Sequence, residues 1–197
     1  MSKRTIALIA LLIVATAFLL ALAVTPQKPT SPQTLVPSPT KMLALAESVL
    51  SVSPNPLILV TGTAKQGSVN IDINTGTNKV TAVQLELSYD PLILENVDIN
   101  TASAGAGFFD NPIVLLKNID AKNGRITFLL GITPTGTPKT GSGTVATITF
   151  SGQSSTLAQT QITFLPKSLV TASGITSSVL KQSLPGLVIF SSTQSAQ

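Results

Sequence analysis

From Ala82 to Tyr89 the chain alternates without a miss: Val83, Leu85, Leu87 and Tyr89 fall on one side, Ala82, Gln84, Glu86 and Ser88 on the other. A period of two is the signature of a strand with one dry face and one wet face. Residues 80–89 are therefore predicted as a half-buried strand. Asp90-Pro91 closes it, because proline has no amide hydrogen for a ladder and aspartate before it favours a turn.

Short segments of the same kind fill the chain from residue 50 onward. Residues 68–74 alternate cleanly, with Val69, Ile71 and Ile73 inward, and 144–150 place Ala146, Ile148 and Phe150 on one face. Further strands are predicted at 93–99, 113–119, 124–130, 161–165, 168–172 and 187–190, with short pieces at 50–52 and 57–60. Asn123-Gly124 marks a hairpin turn. Residues 100–112 read as a glycine-rich loop whose Phe108 and Phe109 plug one end of the fold, and residues 42–49 predict a short helical turn before the domain. The other inward candidates are Leu94, Ile126, Phe128, Ile162, Phe164 and Val188. Some nine or ten strands with no convincing helix predict an antiparallel sandwich or barrel, two sheets facing across a core ~10 Å thick.

Ahead of this domain the pattern changes twice. Lys3 and Arg4 precede Thr5–Val24, 20 residues without a charge. Two fates fit this hydrophobic helix. Ala21-Leu22-Ala23 matches a signal-peptidase site, and 20 apolar residues also suffice for a membrane anchor. Both export the rest of the chain to the cell surface or beyond. Prolines 26, 29, 32, 37 and 39 then make an extended spacer. The organisation expected is a leader over 1–24, a Pro-rich linker over 25–45 and one β-domain over 46–192.

Composition narrows the chemistry. The chain has no cysteine, histidine or tryptophan, and charged residues make up only 10%. Disulfides, thiolate chemistry and histidine-based catalysis are thereby excluded. The net charge of +4 forms no basic cluster, so no nucleic-acid partner is expected. No two of the eight acidic residues are paired in the manner a glycosidase needs, and no enzyme activity is expected. Asp72-Ile-Asn74 and Asp98-Ile-Asn100 each offer two oxygen ligands, well short of a calcium shell of six to eight. No metal or cofactor is expected. With the only tyrosine inward, Phe108 and Phe109 are the only aromatics available to a glycan.

The collinear motifs resemble the cohesin domain. They run from Gly67-x-Val69-x-Ile71-x-Ile73 through Ser88-Tyr89-Asp90-Pro91 and Leu94-Glu95-Asn96-Val97 to the loop bearing Phe108. The Asn123-Gly124 hairpin into Arg125–Leu130 and the segment Gly143–Phe150 complete the set, over residues 50 to 190 or so. The resemblance implies a nine-stranded jelly-roll β-sandwich that binds dockerins, small helical modules with duplicated calcium loops, in polysaccharide-degrading complexes. It implies contacts from Ala82, Gln84, Glu86 and Ser88, with Ile132 near an acidic position of the family. The best-known members carry Asn and Asp where this chain has Ala82 and Gln84. The fold therefore transfers more firmly than the partner. A carbohydrate-binding module of similar fold that takes polysaccharide directly, and an adhesive or structural surface domain, are the alternatives.

Overall fold

The computed structural model describes residues 45–61, 66–102, 105, 107–152 and 158–192. The predicted leader, and the linker apart from Leu45, lie outside the described residues. Twelve strands follow: β1 (Ser48–Ser53), β2 (Leu57–Thr61), β3 (Gln66–Asn74), β4 (Val80–Ser88), β5 (Leu94–Thr101) and β6 (Ile113–Asp120). Then come β7 (Arg125–Gly131), β8 (Ser142–Gly152), β9 (Ala158–Phe164), β10 (Leu169–Ala172), β11 (Leu180–Leu184) and β12 (Gly186–Ser192). One sheet has the order β11-β1-β3-β8-β5, and the other β2-β12-β9-β4-β7-β6 with β10 also paired to β4. No helix occurs among the described residues.

The alternating faces meet between the sheets. Every predicted inward residue is buried except Phe164, which is half-buried against the same core. Leu85, Leu87, Ile126, Phe128 and Ile148 are fully enclosed, each contributing roughly 1.5–3 kcal/mol through burial of its apolar surface. Phe108 and Phe109 are buried with their rings edge to face at 4.9 Å, and the Phe108 amide donates to the Thr144 carbonyl. They plug the sandwich as the sequence predicts.

Three expectations are corrected. The sheets are mixed, since β1 runs parallel to β11 and β2 parallel to β12. Each pair arises because a strand is interrupted by proline and passes from one sheet into the other, at Pro54–Pro56 and at Pro185. Asn55 ties the two crossings together: its side chain donates to the Pro185 carbonyl and accepts from the Leu187 amide, each at 3.0 Å. Next, the helical turn expected at 42–49 is replaced, where described, by irregular chain at 45–47 and by β1 from Ser48. The ladders of β3 and β11 on either side draw Ser48 and Val49 into the sheet. Last, β11 is an additional strand whose sequence, Leu-Lys-Gln-Ser-Leu, lacks alternation because it lies at a sheet edge.

The turns are held by their own side chains. The Asp90 carboxylate accepts from the Leu92 amide at 2.9 Å and caps the turn that ends β4. At the β6–β7 hairpin, Asp120 accepts from both the amide and the side chain of Asn123, which holds its carboxyl below the usual range. Gly124 takes φ 60°, a left-handed conformation that suits glycine.

Candidate functional site

β4 lies at the centre of a surface made by β10, β4, β7 and β6, and the wet half of its alternation faces out. Because paired residues project to the same side, the register fixes rows across this surface. Gln84 aligns with Leu169 on one flank and with Leu129 and Leu116 on the other. Glu86 aligns with Thr127 and Asn118, Ser88 with Arg125 and Asp120, and Ala82 with Thr171 and Gly131. The sequence-predicted residues Ala82, Gln84, Glu86 and Ser88 therefore share one outward face.

Their polar groups are held in place. Glu86 accepts from the Thr127 hydroxyl at 3.0 Å and from the Gln84 amide at 3.3 Å. The Ser168 hydroxyl bridges the Glu86 main chain, accepting from its amide and donating to its carbonyl at 3.0 Å each. Ser88 and Thr163 share a hydrogen bond of 2.7 Å. The carboxylate is thus fixed at mid-face with defined partners.

The row through Gln84 is apolar on both sides of it. Leu169 and Leu129 are half-buried, Leu116 is 47% exposed, and Leu115 projects at a bulge in β6 with 59% exposure. Gly131 keeps the floor low beside Ala82, since a Cβ there would stand 2.9 Å from the Thr81 carbonyl oxygen. Sequence reasoning missed these leucines, although one signal was present. With Ile126, Phe128 and Leu130 inward, parity forces Leu129 outward, an apolar residue on a wet face.

Ile132 stands apart from the face. Its amide donates to the Thr81 carbonyl at 2.9 Å, and its side chain packs on the core beyond the end of β7. It lines a small depression with Asp110, Thr133 and Lys139, where Lys139 and Asp110 are ion-paired at 2.6 Å.

Both Asp-x-Asn pairs are engaged by protein groups. Asp98 pairs with Lys117 at 2.7 Å, and this contact and the Asn100 amide hold its carboxyl below the usual range. Asp72 accepts from Thr144 at 2.7 Å and from Ser53. No group of three acidic residues able to hold a metal occurs among the described residues.

Comparison with known proteins decides the family. The family model described as the cohesin domain matches residues 58–184, well over half of the chain. The chain belongs to the cohesin family. Among solved structures it is similar to the seventh ScaB type I cohesin of Pseudobacteroides cellulosolvens, with TM-score 0.56 and 15% identity over 76% of this chain and 96% of that one. It is also similar to the third ScaC cohesin in complex with the ScaB dockerin from Acetivibrio cellulolyticus, with TM-score 0.57 and 17% identity over 74% and 99%. A third likeness is to the type I Coh-OlpC–Doc435 complex of Clostridium thermocellum, with TM-score 0.54 and 19% identity over 74% and 92%. At these identities the likeness is one of fold. A search of curated proteins finds no match. The all-β sandwich expected from sequence is thus a cohesin-type sandwich, but of two mixed sheets with twelve strands among the described residues rather than about nine antiparallel ones.

Proposed function

We propose that this cohesin is a non-catalytic receptor that captures a dockerin-type module on the face of β10, β4, β7 and β6. Solved relatives of the same fold were determined as complexes of cohesin with dockerin. The observation that carries the assignment is the alignment of Ala82, Gln84, Glu86 and Ser88 on one outward face, widened by Leu169, Leu129 and Leu116. An apolar strip around a fixed, hydrogen-bonded carboxylate is the composition of a protein-docking surface. The face gives a partner helix aliphatic contact along one row and hydrogen-bonding groups along the next. Ile132, packed on the core, is left out of this face.

The N-terminal segments complete the reading. Residues 1–24 export the domain, or anchor it if uncleaved, and the proline-rich stretch holds it away from the surface. No cofactor enters this function.

The test is a binding titration of the full chain against dockerin modules encoded in the same genome, with and without calcium chelation. Saturable binding lost on chelation is expected, because dockerins of the family fold around calcium. Absence of binding to every such module at about 100 μM, near the weak limit of specific recognition, would overturn the assignment. Retention on insoluble polysaccharide instead would move the protein to direct glycan binding.

A further inference from the structure

The two strand orders end in β11 and β5 in one sheet and in β2 and β6 in the other, and β10, paired only with β4, is a further edge whose Val170 main chain is bonded by Ser178 and Val179. An open edge offers unpaired amides and carbonyls to any passing strand, and natural sheets guard theirs with charge, proline, bulges or a covering segment. β5 and β6 are tied to each other by Lys117 and Asp98, and each carries a bulge. β11 contains Lys181 and stops at Pro185.

Among the described residues β2 is the least guarded edge: Pro56 precedes it, but no charge, bulge or covering segment follows. Leu57-Ile-Leu-Val-Thr61 holds no charge and no proline, and it keeps unbroken register with β12 over its whole length. Ile58 is 58% exposed and Val60 37%. The next two strands extend the surface with half-buried Leu187 and Ile189 and with exposed Gln159 and Gln161. None of β2, β12 and β9 contains a charged residue.

We propose that β2 is a self-association edge, where a second copy of this chain pairs β2 to β2, antiparallel, about a two-fold axis at Leu59. That pairing sets Ile58 of one copy opposite Val60 of the other and continues the sheet from molecule to molecule. A neutral surface meets its own image without repulsion, and a regular, β-branched edge suits strand addition. The chain's own N-terminal stretch is a poor occupant. Prolines 26, 29, 32, 37 and 39 leave at most four residues between them, fewer than β2 presents. Residues 40–47 run directly into β1, in the other sheet. β2 and β6 are opposite edges, so pairing leaves the β10–β4–β7–β6 face open on both copies, and a dimer displays two of them.

Sedimentation equilibrium of the full chain in mild detergent, from about 1 to about 100 μM, covers the range expected for a small interface. Mass should double across that range. Ile58→Lys and Val60→Lys should each remain monomeric with an unchanged far-ultraviolet circular dichroism spectrum. Leu92→Lys, at an exposed apolar position away from this edge, should still dimerise. Because the chain has no cysteine, the double variant Ile58→Cys/Val60→Cys should form an intermolecular disulfide on oxidation. A wild-type monomer throughout, or a dimer that persists in both lysine variants, would overturn the proposal. Dockerin titration in the same variants is a separate readout, so loss of self-association and loss of partner binding remain distinguishable.

Discussion

The Tyr89 amide donates to the Gly124 carbonyl at 2.9 Å, and a Cβ built on Gly124 would stand 2.1 Å from the Tyr89 carbonyl oxygen. The end of β4 and the tip of the β6–β7 hairpin are thus pressed together at a point where only hydrogen fits. Gly124 also has φ 60°. Gly124→Ala should therefore destabilise the domain by about 2–3 kcal/mol, from backbone strain and the displaced contact together. Chemical denaturation at neutral pH measures this, and a loss under about half a kcal/mol would mean that the hairpin shifts freely.

Leu129 tests the proposed docking face from the outer side of β7. With its side chain there, Leu129→Lys should change stability by no more than about 0.5 kcal/mol. Binding of the dockerin-type partner should weaken at least about tenfold, or ~1.4 kcal/mol. Isothermal titration paired with a melting curve separates the two effects.

Gln84→Arg and Glu86→Arg address the outward polar groups of the neighbouring β4. Each replaces a member of the Gln84–Glu86–Thr127 hydrogen-bond set on the outward face. Partner binding should fall by about tenfold or more in each variant, with melting temperature little changed. Unchanged binding in both would move the site off this face.

Acid should weaken the join between β5 and β6. The Lys117 contact, with help from Asn100, depresses the Asp98 carboxyl below its ordinary value. A carboxyl depressed in the folded state adds stability that is present above its unfolded pKa of about 3.9 and is lost as pH falls through the folded value. The pair is substantially exposed, with side chains 36% and 44% accessible. Lys117→Met should thus cost no more than about 1 kcal/mol at neutral pH, and less in high salt. Wild type and variant should converge in stability at low pH, as urea denaturation at several pH values would show.

Asn55→Ala examines the corner where the two proline-interrupted strands cross. Two hydrogen bonds vanish, and because the side chain is exposed water replaces part of them. The expected cost is about 1 kcal/mol, read from the unfolding midpoint.

Local pattern told much of this fold in advance. Strict alternation located β3, β4 and β8 and sorted their inward residues, because a period of two is set by the strand itself. Asn123-Gly124 revealed its hairpin for the same reason: the turn needs a left-handed residue at that position. Pairing between distant strands was not legible. β1 and β11 are separated by more than a hundred residues, and nothing in Leu180–Leu184 announces a parallel neighbour. The proposed docking face was half legible. The β4 row followed from alternation, but Leu116 and Leu169 join it only through cross-strand register.

The parallel pairing of β1 with β11 and of β2 with β12 has a mechanical meaning. Tension that pulls the start of β1 away from the end of β12 acts along these strands in opposite directions. The bonds of each ladder are then loaded side by side in shear and must yield together, whereas an antiparallel terminal pair would open one bond at a time. A domain stretched between its two chain ends would resist through these two short ladders, with Asn55 as the rivet between them.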